Sequence, residues 1–172
     1  MGVAGYSVIA HILGLDSVAE RYADIAKKMA MKWEEMANEG DQYRLAFDRN
    51  NTWSQKYNII WDKMWNLNIF PNNVISKEIN YYLTKQNLYG LPLDSRRDYT
   101  KSDWIMWTAA MSPNREIFEK FVDPLYKYIN ETTSRVPISD WHDTKTGRMT
   151  GFKARSVIGG YWIQVLMDKM NH

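Results

Sequence analysis

Apolar residues recur at three- and four-residue spacing along most of the chain, and no stretch alternates convincingly at period two. The spacing predicts seven helices, over about residues 1–13, 16–38, 53–67, 73–87, 101–111, 113–131 and 153–170, and hence an all-α fold. Several segments carry start signals. Ser17-x-x-Glu20 and Thr52-x-x-Gln55 fit the capping box, in which a hydroxyl satisfies an orphan N–H and the third residue reaches back. Thr100-x-x-Asp103 is a shorter version. Ser112-Pro113 places proline at a first helical position, where its missing N–H costs nothing, and Pro124 should kink or split the sixth helix.

The connections alternate in length. Gly14-Leu15, 68–72 and Ser112 are short and predict antiparallel hairpins, whereas 39–52, 88–100 and 132–152 are long, a length that usually carries function. The helix starts after the long connections resemble one another. Thr52-Trp-Ser-Gln55 and Thr100-Lys-Ser-Asp103 both read T-x-S-[Q/D], forty-eight positions apart. A weaker match enters at Phe152, and Gly2-Val-Ala-Gly-Tyr6 sits one interval earlier. A recurrence near fifty residues with one helical hairpin per unit predicts part of an α/α toroid rather than a solenoid, whose units are shorter. Segments one, three, five and seven would be inner helices, rich in Gly, Ala and Trp: Gly2, Ala4 and Gly5; Trp61 and Trp65; Ala109 and Ala110; Gly159 and Gly160. Small residues there allow close approach, and close packing would offset the roughly 1 kcal/mol that each helical glycine costs.

Composition narrows the choices. The 172 residues, 45% of them hydrophobic, fit one domain with a sizeable core, or part of a larger one. A net charge of +2 is spread without any basic run, so nucleic acid is not expected as a partner. With no cysteine there is no disulfide, zinc thiolate or thiol catalysis. His11, His142 and His172 share no metal-ligand spacing, and neither a metal nor a cofactor is expected. No apolar run reaches the roughly 18 residues of a membrane span. The opening MGVAGYSVIAHILGL lacks the basic start of a signal peptide and reads as a helix entered midway. Eight Trp and eleven Tyr suit either a helical core with wide gaps or an aromatic-lined cleft.

Six ordered motifs, spread from about Gly2 to Leu166, resemble the C-terminal region of the glutaminase A family of large microbial glutaminases. They are Tyr43-Arg-Leu-Ala-Phe-Asp48, Thr52-Trp-Ser-Gln-Lys-Tyr-Asn58, Leu91-Pro-Leu-Asp-Ser-Arg96, Thr100-Lys-Ser-Asp-Trp104, Ser134-Arg-Val-Pro-Ile-Ser-Asp-Trp141 and Ala154-Arg-Ser-Val-Ile-Gly-Gly-Tyr161. The resemblance implies hydrolysis of L-glutamine to L-glutamate and ammonia, and a secreted, periplasmic or cell-surface location. It also implies a toroid similar to that of six-hairpin glycosidases. A complete ring of that kind needs about twelve helices. Residues 1–172 are therefore expected to be the C-terminal part of the ring, with the rest of the ring and upstream domains as partners, and to self-associate through the surface left uncovered.

Hydrolysis of an amide by water needs a base, an oxyanion donor and an acid for the leaving ammonia. Without cysteine, and with few histidines, carboxylates are the natural acid–base groups; no G-x-S-x-G elbow is present. The candidate catalytic residues are Asp94, Asp103 and Asp140, in or beside the long loops. Each also fits a local role, Asp103 in the Thr100 cap and Asp94 and Asp140 as turn formers. Arg96 and Arg155 are suited to clamp a substrate carboxylate bidentately, as is Arg135, although such arginines also staple loops to neighbouring aspartates. Trp53, Trp104 and Trp141 stand where they would wall a pocket, and His142 is the histidine placed for proton transfer. Trp33, Trp61, Trp65, Trp107 and Trp162 read as core. Lys27, Lys28 and Lys56 read as solvated. Two other readings stand beside the glutaminase one. One is a glycoside hydrolase with two carboxylates facing across a groove and tryptophan platforms, and the other is a non-catalytic half-ring supporting an upstream domain.

Overall fold

The computed structural model describes residues 1–170. Seven α-helices follow one another: α1 Gly2–Ile12, α2 Asp16–Ala37, α3 Ile60–Met64, α4 Asn72–Leu83, α5 Ser102–Ala109, α6 Arg115–Glu131 and α7 Ile163–Met170. Two 3₁₀ segments, Tyr57–Ile59 and Ser156–Trp162, lead into α3 and α7. Long connections carry two short antiparallel ladders, β1 Asn38–Glu39 with β2 Gln42–Tyr43, and β3 Tyr99–Lys101 with β4 Trp141–Asp143. The chain is all-α with consecutive helical hairpins, as the apolar spacing predicts. The strands are too short for period-two alternation to register.

Packing follows side-chain size. In α1, Ala4, Ser7 and Ala10 are buried, and in α2, Ala19, Ala26, Ala30 and Ala37 form a narrow stripe at helical spacing. Short side chains on both faces let these two helices pack closely as an antiparallel hairpin. The main core is built around α5. Ile105, Met106, Ala109 and Ala110 meet Phe121, Leu125 and Tyr128 from α6, Ile59, Ile60 and Met64 at α3, and Ile163 and Met167 from α7. Val74, Ile79 and Tyr82 join them from α4. The packing of α5 against α6, α7 and the two 3₁₀ segments is what positions the loops at its N-terminal end.

Several expectations about ends and breaks are corrected. The helix predicted over 53–67 is reduced to residues 57–64, because Trp53 to Gln55 bond to the loop over 91–96: Gln55 N–H donates to Leu93 O at 2.8 Å and Ser95 N–H to Trp53 O at 3.0 Å. Thr52 is consequently no cap; its hydroxyl donates to Arg49 O at 2.6 Å. Neither Ser17 nor Thr100 caps a helix: α2 begins at Asp16, and α5 begins after Lys101, each without a side-chain cap. Thr100 instead lies buried in β3 and accepts from Gln55. The cap of α6 is Asn114, whose side chain accepts from Ile117 N–H at 3.0 Å, so Pro113 lies just outside the helix. Pro124 neither splits nor ends α6. The Lys120 carbonyl, which has no N–H to meet at position 124, accepts from Gln86 Nε2 at 2.8 Å. Gly2, Gly5 and Gly159 face open space, so close approach explains only Gly160, where an added Cβ would lie 2.8 Å from Trp107 Nε1. Trp65 and Trp162 are exposed rather than core, and Trp53 is buried against Tyr81 and Tyr82 rather than walling a pocket.

Candidate active-site cleft

The segment 54–59, the loop carrying Asp94 and Arg96, and the first turn of α5 enclose a cleft of about 360 Å³. Its walls include Lys56, Tyr57, Asp94, Arg96 and Trp104. Three of the candidate site residues, Asp94, Arg96 and Trp104, thus share one cavity. Trp104 stacks face to face on Tyr57, with ring centroids 4.1 Å apart and planes 9° from parallel. The ladder geometry explains the placement of the charges: Ser54 pairs with Asp94 across a β-bridge, which holds the loop against the segment that bears Lys56.

Asp94 is almost fully buried and closely held. Its Oδ1 accepts from Arg96 N–H at 2.8 Å and from Arg96 Nε at 2.9 Å, and its Oδ2 from Arg96 Nη2 at 2.7 Å. The guanidinium remains half exposed at the cleft mouth, its pKa pushed up by these hydrogen bonds. Lys56, read from the sequence as solvated, lines the cleft with its side chain largely withdrawn from solvent. Its ammonium donates to Ser54 O at 2.9 Å, Ser54 Oγ at 2.9 Å and Tyr43 O at 3.1 Å. Desolvation lowers its pKa, opposed by the nearby carboxylates of Glu78 and Asp94. Glu78 lies behind it at 3.9 Å, buried, accepting from Tyr43 N–H at 2.7 Å and meeting the Tyr82 hydroxyl. Burial raises the Glu78 pKa. The one sequence signal for this network was a glutamate four residues from both Val74 and Tyr82, on the stripe that α4 buries.

A second cluster forms around β3 and β4. Asp140 is fully buried and its Oδ2 lies 3.2 Å from both Lys101 Nζ and Arg155 Nη2. Asp140 and Arg155 therefore staple the loop ends together. Lys101 also lies over the Trp141 ring at 4.5 Å, and Trp141 packs on Phe152 rather than on the cleft. His142 points the other way, because successive residues of a strand face opposite sides. It is buried and stacked on Tyr128 at 3.5 Å, with Nε2 donating to Tyr89 O at 2.8 Å. Desolvation pushes its pKa down to about 4, so it is neutral. It is a packed core group, not a proton carrier open to a substrate. Asp103, in the first turn of α5, is buried with Oδ1 unpartnered among the described residues. Desolvation pushes its pKa up to about 6, reinforced by the Asp140 charge and opposed by its own backbone N–H, Lys101 and Arg155. Arg135 is exposed, away from any ion pair among the described residues. No cluster of His, Asp or Glu suited to a metal ion, and no helix long and apolar enough to cross a membrane, occurs among the described residues.

The family described as the glutaminase A six helical-hairpin domain matches residues 1–165. The chain belongs to this family. Among relatives, it is similar to a protein named glutaminase A from Aspergillus oryzae, 30% identical over 97% of this chain and 25% of the relative. It is also similar to a probable glutaminase from Arthroderma benhamiae, 25% identical over 98% of this chain and 23% of the relative. The chain thus spans about a quarter of the length of these curated relatives. No solved structure matches it significantly. Within the six-hairpin domain, α1–α2 and α5–α6 are closely packed hairpins, and the cleft lies at the N-terminal end of α5.

Proposed function

We propose that this chain belongs to an enzyme that hydrolyses the side-chain amide of L-glutamine to L-glutamate and ammonia, and that it forms one rim of the active cleft. The remaining hairpins and any further domains belong, in this reading, to the rest of a larger protein. The observation that carries it is the cleft itself. It is small, it holds the cations of Lys56 and Arg96 beside the carboxylate of Asp94, and it is walled by the Tyr57–Trp104 stack. The half-exposed Arg96 guanidinium at the mouth of a small cleft with an apolar floor suits the carboxylate of an amino-acid substrate. The two relatives named as glutaminases support the same reading.

A glycosidase would need two carboxyl groups facing across an open groove. The one carboxylate lining this cleft, Asp94, is engaged by Arg96 through both oxygens. Asp140 is engaged by Lys101 and Arg155 through Oδ2, which favours, as a second reading, a half-ring that supports a site built elsewhere. The test is an assay of the whole parent protein on L-glutamine and on aryl glycosides. Ammonia released from glutamine, with no aryl alcohol from the glycosides, is expected. An Arg96→Ala variant should raise KM for glutamine about tenfold, the scale of one lost charge-assisted contact. Unchanged kinetics in that variant, with a normal wild type, would favour the supporting role. The secretion implied by the resemblance is part of the proposal and is tested by the activity found in culture supernatant.

A further inference from the structure

Lys56 Nζ makes three close polar contacts, to Tyr43 O at 3.1 Å, to Ser54 O at 2.9 Å and to Ser54 Oγ at 2.9 Å. As an ammonium it donates to all three. Once it has lost a proton, the amine keeps two N–H groups and gains a lone pair. The two carbonyls only accept, so they hold the N–H groups and leave the lone pair facing Ser54 Oγ, the one contact with a proton to give. Ser54 Oγ makes no other hydrogen bond among the described residues. The backbone thus orients an amine and a hydroxyl as base and nucleophile.

A ligand has room to reach this pair. Both residues line the cleft of about 360 Å³, and both line a second hollow of about 610 Å³ walled by residues 44–48. Ser54 stands opposite Asp94 at a ladder position whose neighbours make the hydrogen bonds, where facing side chains come closest. Asp94 does not compete as the base, because Arg96 takes both of its oxygens. Glu78, 3.9 Å from Lys56 Nζ, is held by Tyr43 N–H and the Tyr82 hydroxyl and does not line the cleft. The groups that face Lys56 are therefore Glu78 and Tyr82 from α4, Tyr43 from β2, and Asp94 and Arg96 from the loop, with Arg44 and Asp48 along the second hollow. Burial lowers the Lys56 pKa against the pull of Glu78 and Asp94, so its amine form is reached at lower pH than in an exposed lysine.

We propose that Ser54 and Lys56 are the nucleophile and the base of the amide hydrolysis, which runs through an ester of Ser54. The substrate rests on the glutamine reading above. The Lys56 amine takes the Ser54 Oγ proton as Oγ bonds to the side-chain amide carbon and the carbonyl electron pair moves onto oxygen. The ammonium so formed delivers that proton to the amide nitrogen; the C=O bond re-forms, the C–N bond breaks and ammonia leaves. Ser54 now carries the γ-glutamyl group. Water then gives a proton to Lys56 as its oxygen bonds to the ester carbon, the C=O bond re-forms, the bond to Oγ breaks and Lys56 returns the proton to Oγ. Amide and water thus yield acid and ammonia, with both side chains restored and no other reactant.

The experiment compares the whole parent protein with its Ser54→Ala and Lys56→Arg variants, measuring kcat and KM for L-glutamine against pH. In parallel, phenylmethanesulfonyl fluoride is applied and sulfonylation of Ser54 is read by peptide mass spectrometry. Ser54→Ala is expected to lower kcat by about 1,000-fold or more, with KM changed less than about 3-fold. Lys56→Arg keeps a cation beside the two carbonyls but gives up no proton, so kcat should fall about 100-fold and its rise with pH should vanish. Labelling of Ser54 should rise with pH in the wild type and be lost in Lys56→Arg. A Ser54→Ala protein within about 10-fold of an active wild type overturns the proposal, as does a Ser54 that stays unlabelled at pH 9; Lys56 would then only pin the loop. A wild type that is labelled at Ser54 yet releases no ammonia from glutamine upholds the pair and overturns the substrate reading, which is a separate result. If Lys56→Arg loses its folding transition, Ser54→Ala and the labelling decide.

Discussion

Between pH 6.5 and pH 4, two buried groups pull stability in opposite directions. His142 is held neutral by burial, with a pKa of about 4. The unfolded chain takes up the proton first as pH falls, so the stability present above pH 6.5 is lost progressively toward pH 4, in total about 3 kcal/mol. Asp103 behaves the other way. Its pKa of about 6 means that the folded chain takes up the proton first, so its charged form costs stability above pH 6 and that cost vanishes toward pH 4. Asp103→Asn should therefore stabilise the protein at pH 7–8 by about 3 kcal/mol, an advantage that disappears by pH 4 in urea titrations. His142→Gln should flatten the loss of stability between pH 6.5 and pH 4 in the same measurement, even if it lowers stability overall. Neither pKa was readable from sequence position. His142 and Trp141 are neighbours, yet the strand turns one toward Tyr128 and the other toward Lys101. Asp103 looked like part of a cap because its partner hydroxyl, Thr100, lies three residues earlier, but that hydroxyl is taken by Gln55.

Gln55 illustrates the same competition at the scale of elements. As the end of a capping box it would sit on a solvated helix start. Buried instead, its amide nitrogen lies 3.2 Å from Leu91 O, 3.0 Å from Pro92 O and 3.3 Å from Thr100 Oγ1, and its oxygen accepts from Thr108 Oγ1 at 3.0 Å. One side chain thus joins the segment before α3, the cleft loop, β3 and α5. Gln55→Leu keeps much of the volume but strands these buried partners, and should destabilise the protein by about 3 kcal/mol in urea unfolding. A change below about 1 kcal/mol would mean that the loop is held by its backbone bonds alone. The existence of the helices was legible because apolar spacing reflects a buried face, which each segment encodes locally. Their starts were less legible, since a short Ser or Thr side chain has several partners within reach and only distant residues decide among them. Pro124 shows the same dependence: its helix continues while Gln86, thirty-four residues from Lys120, satisfies the freed carbonyl.

Across the whole molecule, the α1 region and the segment entering and forming α7 turn apolar side chains outward. Ile12 is 75% exposed, Leu13 68%, Trp162 68% and Val165 50%, with Trp65 also open to solvent. Such a surface exceeds scattered apolar exposure and calls for a cover. The 172-residue chain by itself should associate at micromolar concentration in sedimentation measurements, and Ile12→Lys with Val165→Lys should shift it toward monomer. By itself it should not turn over glutamine; steady ammonia release by residues 1–172 alone would contradict the single-rim reading. The family and the all-α hairpin architecture could be read from the amino-acid order, because periodic apolar faces and ordered motifs are properties of neighbouring residues. The tertiary structure alone placed Lys56 in a cleft, His142 in the core, Asp140 in a staple and Asp103 beside an unpartnered indole. Burial and charge pairing depend on residues tens of positions away, and those distances decide which polar groups are spent on folding and which stay free for chemistry.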